Sequence, residues 1–170
     1  MHFEKVSAGQ FYVDSNIENP YICEEIYNDI KLPTRATKYS AGYDFFAPRD
    51  FVIPSNTTIK IVTGVRWVCE KGEGDRVLLI APRSGMGFKY GVRLNNTIGV
   101  IDADYCNSKN EGDIMIKLFN PSKETIKVKK GEAFAQGIIT TYFTCDSDNV
   151  DTKRDGGFGS TTKQRVVNYI

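Results

Sequence analysis

From position 51 onward, apolar and polar positions alternate in short runs, at 51–53, 58–62, 65–69, 77–80, 114–119, 125–128 and 137–143. Turn signals separate them: Pro54-Ser55-Asn56, Lys71-Gly72-Glu73-Gly74-Asp75, Asn120-Pro121-Ser122 and Lys130-Gly131-Glu132. Many short strands at this spacing predict an all-β barrel or sandwich. Residues 84–89, after Pro82, read as a helical turn that Gly85 and Gly87 keep brief. Residues 1–32 are less regular, and Pro20 divides a predicted first strand over 10–13 from a short helix or second strand over 22–30. From Asp146 the chain is polar and glycine-rich, so 146–170 is either a disordered end or an arm that a ligand orders. The expected organisation is one domain over 1–145, with 1–30 atypical, followed by that arm.

Gly99-Val100-Ile101-Asp102-Ala103-Asp104-Tyr105 lies between apolar stretches at 93–98 and 114–119, and reads as the turn region of a hairpin. Asp102 is flanked by Ile101 and Ala103, where an ionised group has to face solvent, a ligand or a partner. Tyr105 adds a flat ring three residues on. The pair suggests a water-activating base beside a planar substrate. The alternative is a hairpin tip in which Asp102 and Asp104 bond their own backbone.

Composition narrows the field. The 170 residues, 41% hydrophobic, suffice for one buried core. With 22 basic and 21 acidic residues the net charge is +1, so no global field draws nucleic acid or an anionic membrane, and any anion site has to be local. Cys23, Cys69, Cys106 and Cys145 are spread without zinc or redox spacing, as expected of reduced thiols in a cytoplasmic protein. No run of eighteen apolar residues occurs, so membrane insertion is not expected.

Other stretches carry chemistry. Pro82-Arg83-Ser84-Gly85-Met86-Gly87 places backbone N–H groups, a hydroxyl and a guanidinium where a strand gives way to a helix, which suits phosphate. Asp44, in Ala41-Gly42-Tyr43-Asp44-Phe45, could hold a metal through water or cap a turn. Gln136 interrupts an apolar strand and needs backbone or ligand partners. Gly156-Gly157-Phe158-Gly159-Ser160-Thr161 offers several donors around an aromatic ring, which suits a nucleotide.

In this order, the five stretches resemble the five motifs of the homotrimeric dUTPase family, over residues 32–161. The resemblance implies a distorted jelly-roll or β-barrel subunit with one short helix, and a homotrimer with shared active sites. It also implies hydrolysis of dUTP to dUMP and pyrophosphate with Mg2+. By that resemblance, Asp102 is the catalytic acid that orients the attacking water, and Asp44 reaches the metal through water. Arg83, Ser84, Gly85 and Gln136 are phosphate contacts, Asn96 binds the uracil end, and the Tyr105 ring packs on the deoxyribose, where a 2′-hydroxyl would clash. From the arm, Phe158 stacks on uracil, Gly159, Ser160 and Thr161 complete the phosphate site, and either Lys153 or Arg154 meets the γ-phosphate.

The chain also departs from the family pattern. Cys106 through Glu111 stand where the family usually has a single residue before its glycine, Ala133 replaces a basic residue, Thr162 replaces a final glycine, and residues 1–30 have no clear counterpart. Because some phage-encoded members of the family bind repressors, the insertion and the N-terminal segment are a candidate surface for such a protein partner. A dCTP deaminase-type relative shares the fold but lacks the Asp-x-x-Tyr hairpin seen here at Asp102 and Tyr105.

Overall fold

The computed structural model describes residues 1–70 and 72–152. The chain opens with β1 (His2–Lys5), α1 (Ala8–Ser15) and α2 (Pro20–Asn28), then β2 (Thr34–Arg35), β3 (Gly42–Phe46), β4 (Phe51–Ile53), β5 (Thr57–Val62) and β6 (Val65–Val68). There follow β7 (Arg76–Pro82), α3 (Ser84–Tyr90), β8 (Arg93–Leu94) and β9 (Gly99–Asp102), and a 3-10 turn at Tyr105–Asn107. The last strands are β10 (Met115–Asn120), β11 (Ile126–Val128) and β12 (Ala133–Thr141). The strands predicted from position 51 onward are all present, as is the helical turn after Pro82.

The strands form a five-stranded sheet, β2-β3-β12-β7-β9, a three-stranded sheet, β5-β10-β8, and two pairs, β1-β6 and β11-β4. Every pairing is antiparallel. Their inner faces enclose one core that contains Trp67, Phe45, Phe134, Ile53, Leu78 and Leu118, each with at most 1% of its surface exposed. Phe51 meets Phe134 edge-on at 5.5 Å, an arrangement that adds to simple burial. In β12 the register slips between Ala133 and Ala135. This bulge lets the consecutive Phe134 and Ala135 both be buried and re-aims the strand at Gln136.

Two expectations need correction. The strand over 10–13 is instead part of α1, and of the two forms expected over 22–30 the helix is the one present, so the described residues hold three short α-helices rather than one. In this less regular segment the helical signal lies in the caps. Ser7 accepts a bond from the Gln10 N–H, the S-x-x-Q spacing of a capping box, and Asn19 caps a helix whose first residue is Pro20. The second correction concerns the hairpin. Its arms pair only at Leu94 with Leu118 and Arg93 with Phe119, after which β9 leaves for the five-stranded sheet and pairs with β7. Asp102 therefore ends a strand instead of occupying a turn tip.

Candidate active site

Three strands bring distant polar residues to one end of the five-stranded sheet. Asp44 in β3 stands opposite Gln136 in β12, which in turn stands opposite Ala81 in β7, close to Arg83. Asp44 is buried, and its Oδ1 meets the Arg83 guanidinium Nε at 3.2 Å. A buried carboxylate needs such a partner. The Arg83 side chain keeps 42% of its surface open, so the same fork can still meet an incoming anion. The Gln136 amide Nε2 donates to the Pro82 carbonyl at 3.2 Å, which gives the interrupting amide a backbone partner and fixes its orientation. Gly42 permits this arrangement, because a Cβ at that position would fall on the Gln136 side chain.

Ser84 and Gly85, both exposed, open α3 directly beside this cluster. The bonds to the Arg83 carbonyl start only at Met86 and Gly87, both at 3.0 Å, and no side chain caps the helix. Apart from its chain neighbours and its own helix backbone, nothing lies within 4 Å of where a Cβ would stand on Gly85. The chain's own packing does not demand a glycine there, whereas a closely approaching ligand would.

A cleft of about 420 Å³ lies along β9 and the β7 residue Ile80, with Leu94, Asn96, Gly99, Tyr105 and Met115 among its other walls. Its size and mostly apolar lining suit a small planar ligand. Asn96 sits on a tight turn closed by the Leu94–Thr97 bridge, where Thr97 adopts φ 70°, a strained conformation for a β-branched residue. Tyr105, largely buried, lines the cleft, and its hydroxyl donates to the Asp113 carbonyl and accepts from Asn110 Nδ2, both at 3.1 Å. Asp102, half-buried, continues β9 directly beyond the cleft residues Val100 and Ile101.

The two groups do not meet within one chain. Asp102 pairs with Val77, and Gln136 with Ala81 on the other edge of β7. Strand geometry puts them about 13 Å apart along β7 and about 10 Å apart across it. Short side chains cannot bridge that gap to one reacting centre. The expected arm residues, Lys153, Arg154, Phe158, Gly159, Ser160 and Thr161, lie outside the described residues. The sequence reading did not single out the Asp44–Arg83 pair as a contact, because its partners are distant in sequence and only the β3-β12-β7 register joins them. It likewise missed Met115 and Leu94 as cleft walls, although the apolar runs containing them were marked as strands or hairpin arms.

Known proteins resemble this chain in both sequence and fold. A family model described as dUTPase matches residues 28–162. A Lactococcus lactis protein named deoxyuridine 5'-triphosphate nucleotidohydrolase is 37% identical over 135 residues, which covers 78% of this chain and 88% of the relative. The crystal structure of a dUTPase from Streptococcus mutans superimposes with a TM-score of 0.65 at 27% identity, covering 86% of this chain and all of that one. A mutant dUTPase from phage phi11 of S. aureus, described for its coordination of a structural Mg(II) ion, shares the fold with a TM-score of 0.58 at 23% identity, over 73% of this chain and 92% of that one.

Proposed function

The chain belongs to the dUTPase family, and from that premise we infer that it hydrolyses dUTP to dUMP and pyrophosphate, by water attack at the α-phosphate in a site that several subunits share. The observation that carries the shared site is the split described above. Asp102, at the far end of β9 from the cleft wall Gly99, and a phosphate cluster of Asp44, Arg83 and Gln136 stand toward opposite ends of β7 and on its two edges. Assembly of three copies lets the cleft of one face the cluster of another, and the arm over 146–170, with Lys153 or Arg154 and Phe158 to Thr161, closes over the substrate.

In this reading Asp102 orients the attacking water and accepts its proton, the kind of positioning on which phosphoryl transfer mostly depends. Arg83 and Gln136, with the Ser84 and Gly85 N–H groups, hold the leaving pyrophosphate. Asn96 meets the uracil edge, where a wrong base leaves buried polar groups unpaired. Tyr105 walls the sugar.

Among the described residues, no three His, Cys, Asp or Glu side chains gather to hold a metal ion on their own. A single buried carboxylate beside a phosphate site fits Mg2+ carried largely by the substrate phosphates and reached by Asp44 through water. When bound, the ion offsets charge on the leaving group.

Among the described residues no helix is long and apolar enough to cross a membrane. A second reading, that the chain also binds a protein such as a repressor, is supported by Val13, Tyr21 and Ile22, apolar side chains that α1 and α2 leave exposed. Affinity capture with the intact chain tests it, and an unchanged set of captured proteins after replacement of these three by serine would dismiss it.

The decisive assay for the main reading is turnover of dUTP, dCTP, dTTP and UTP with Mg2+, with pyrophosphate and free ammonia followed separately. Pyrophosphate release confined to dUTP is the expected result. Ammonia from dCTP would instead indicate a deaminase, and no turnover of any of the four would overturn the reading.

A further inference from the structure

Two parts of this chain fall outside the usual dUTPase pattern, and the structure joins them. Residues 1–27 lie outside the family match, while residues 106–111 lengthen the loop after Tyr105. At the contact, the Ser7 N–H and hydroxyl donate to the two carboxylate oxygens of Glu111, at 2.7 and 2.6 Å. Ser7 is also the cap of α1, and its oxygen accepts from the Gln10 N–H at 3.1 Å, so the hydroxyl is used as both donor and acceptor. The preceding residue, Val6, is buried and bonded to the Gly64 carbonyl at 3.1 Å, which ties the start of α1 to the barrel.

On the other side of the contact, Glu111 sits where the loop closes. It has φ 56°, and Gly112 follows at φ 79°. A Cβ on Gly112 would stand 2.5 Å from the Cys106 Cα, so only glycine allows the closure. A non-glycine residue in the left-handed region persists only when its surroundings fix it, and here the Ser7 clamp does so. One neighbour of Glu111 holds the tyrosine, and the other holds that neighbour. Asn110 Nδ2 donates to the Tyr105 hydroxyl at 3.1 Å and to the Asp113 carbonyl at 3.3 Å, while its Oδ1 accepts from the Gly112 N–H at 3.3 Å. The Tyr105 hydroxyl in turn donates to that Asp113 carbonyl.

We propose that Ser7 and Glu111 are positioning residues, through which the N-terminal helix fixes the Tyr105 ring against the sugar and thereby sets discrimination between dUTP and UTP. The proposal rests on the reading of Tyr105 as the sugar wall. Glu111 is well suited to the task, since the two bonds from Ser7 hold its carboxyl below the usual carboxylate range and keep it ionised at neutral pH. Loosening the clamp frees the ring to yield to a 2′-hydroxyl but leaves Asp102, which is on β9, in place.

The test measures kcat and KM for dUTP and UTP in Glu111→Gln, Ser7→Ala, their combination, Ser7→Thr and Tyr105→Ala, each checked for a wild-type melting curve. Glu111→Gln and Ser7→Ala should each lower the ratio of kcat/KM for dUTP over UTP by about three- to tenfold, as fits the loss of one charge-assisted bond. The dUTP kcat should change by less than about twofold, because the chemical step is untouched. The combined variant should be no worse than the poorer single, and Ser7→Thr, which restores the hydroxyl, should keep the parent ratio. Tyr105→Ala separates the two layers of the argument. If it lowers the ratio while folded Glu111→Gln and Ser7→Ala leave it unchanged, the coupling is wrong and the sugar-wall reading stands. An unchanged ratio in Tyr105→Ala as well would overturn both. If Glu111→Gln fails to fold, the contrast between Ser7→Ala and Ser7→Thr decides, with equal ratios counting against the proposal.

Discussion

At Asp102, exchanging the carboxylate for an amide keeps the shape of the side chain and removes the group proposed to accept the proton. Asp102→Asn should therefore bind dUTP with nearly unchanged affinity while kcat falls by about 10²- to 10⁴-fold. Rapid-quench kinetics with a separate binding titration checks this, and near-normal kcat would remove Asp102 from the catalytic role. Asp113 yields a prediction of another kind. It is completely buried, and its Oδ1 accepts the Gly64 N–H at 3.0 Å. Burial, and after it the Asp14 carboxylate on α1, push its carboxyl up to about 8. Because the folded state holds this proton more tightly than the unfolded chain, the stabilisation is complete below the ordinary carboxylate value and is lost as pH rises towards about 8. Asp113→Asn keeps the acceptor for Gly64 and does not ionise. Its melting temperature should exceed the parent's by several degrees at pH 9, with the difference shrinking towards pH 5. A gap that stays constant with pH would show that Asp113 is not the titrating group.

Among the elements, the strands from 51 to 141 could be read from sequence because alternation and turn residues report local backbone preference directly. The first N-terminal helix could be read only in its cap, the second also in its period. Phe11 is the one buried residue of α1, too few to establish a helical period, whereas Cys23 and Ile26 in α2 and Ile30 just beyond do follow one. The departure of β9 for the five-stranded sheet had no local signal at all, since strand pairing depends on distant β7. After β12, the described residues to 152 contain no further helix or strand and add nothing to the core. Deleting 153–170 should accordingly leave the melting temperature within about 2 °C, while dUTP turnover drops at least tenfold, or about 1.4 kcal/mol in the barrier. Calorimetry and steady-state rates on the truncated chain check this, and a collapsed transition would make the arm part of the fold.

At the scale of the whole molecule, the separation between Asp102 and the Asp44–Arg83–Gln136 cluster makes a prediction about mixtures. Asp102→Asn and Arg83→Ala should each be nearly inactive alone. Unfolded together and refolded, they should regain a substantial fraction of parent activity, because some sites in the mixed assemblies take an intact Asp102 from one copy and an intact Arg83 from another. No recovery, with mixed assembly verified by mass, would place both residues in one subunit's site. The motifs themselves were legible in the chain because each is a local matter: a glycine that admits close approach, a carboxylate held beside an aromatic ring, donors at the start of a helix. With them the chain alone determined the family, the β-rich class and the residue types of the chemistry. What tertiary structure decided was which of these residues meet. Register across β3, β12 and β7 pairs Asp44 with Arg83 and keeps Asp102 away from them, and a contact between residues 7 and 111 ties the added N-terminal helix to the added loop. Such contacts arise from strand pairing and packing between segments far apart in sequence, which no local pattern of residues encodes.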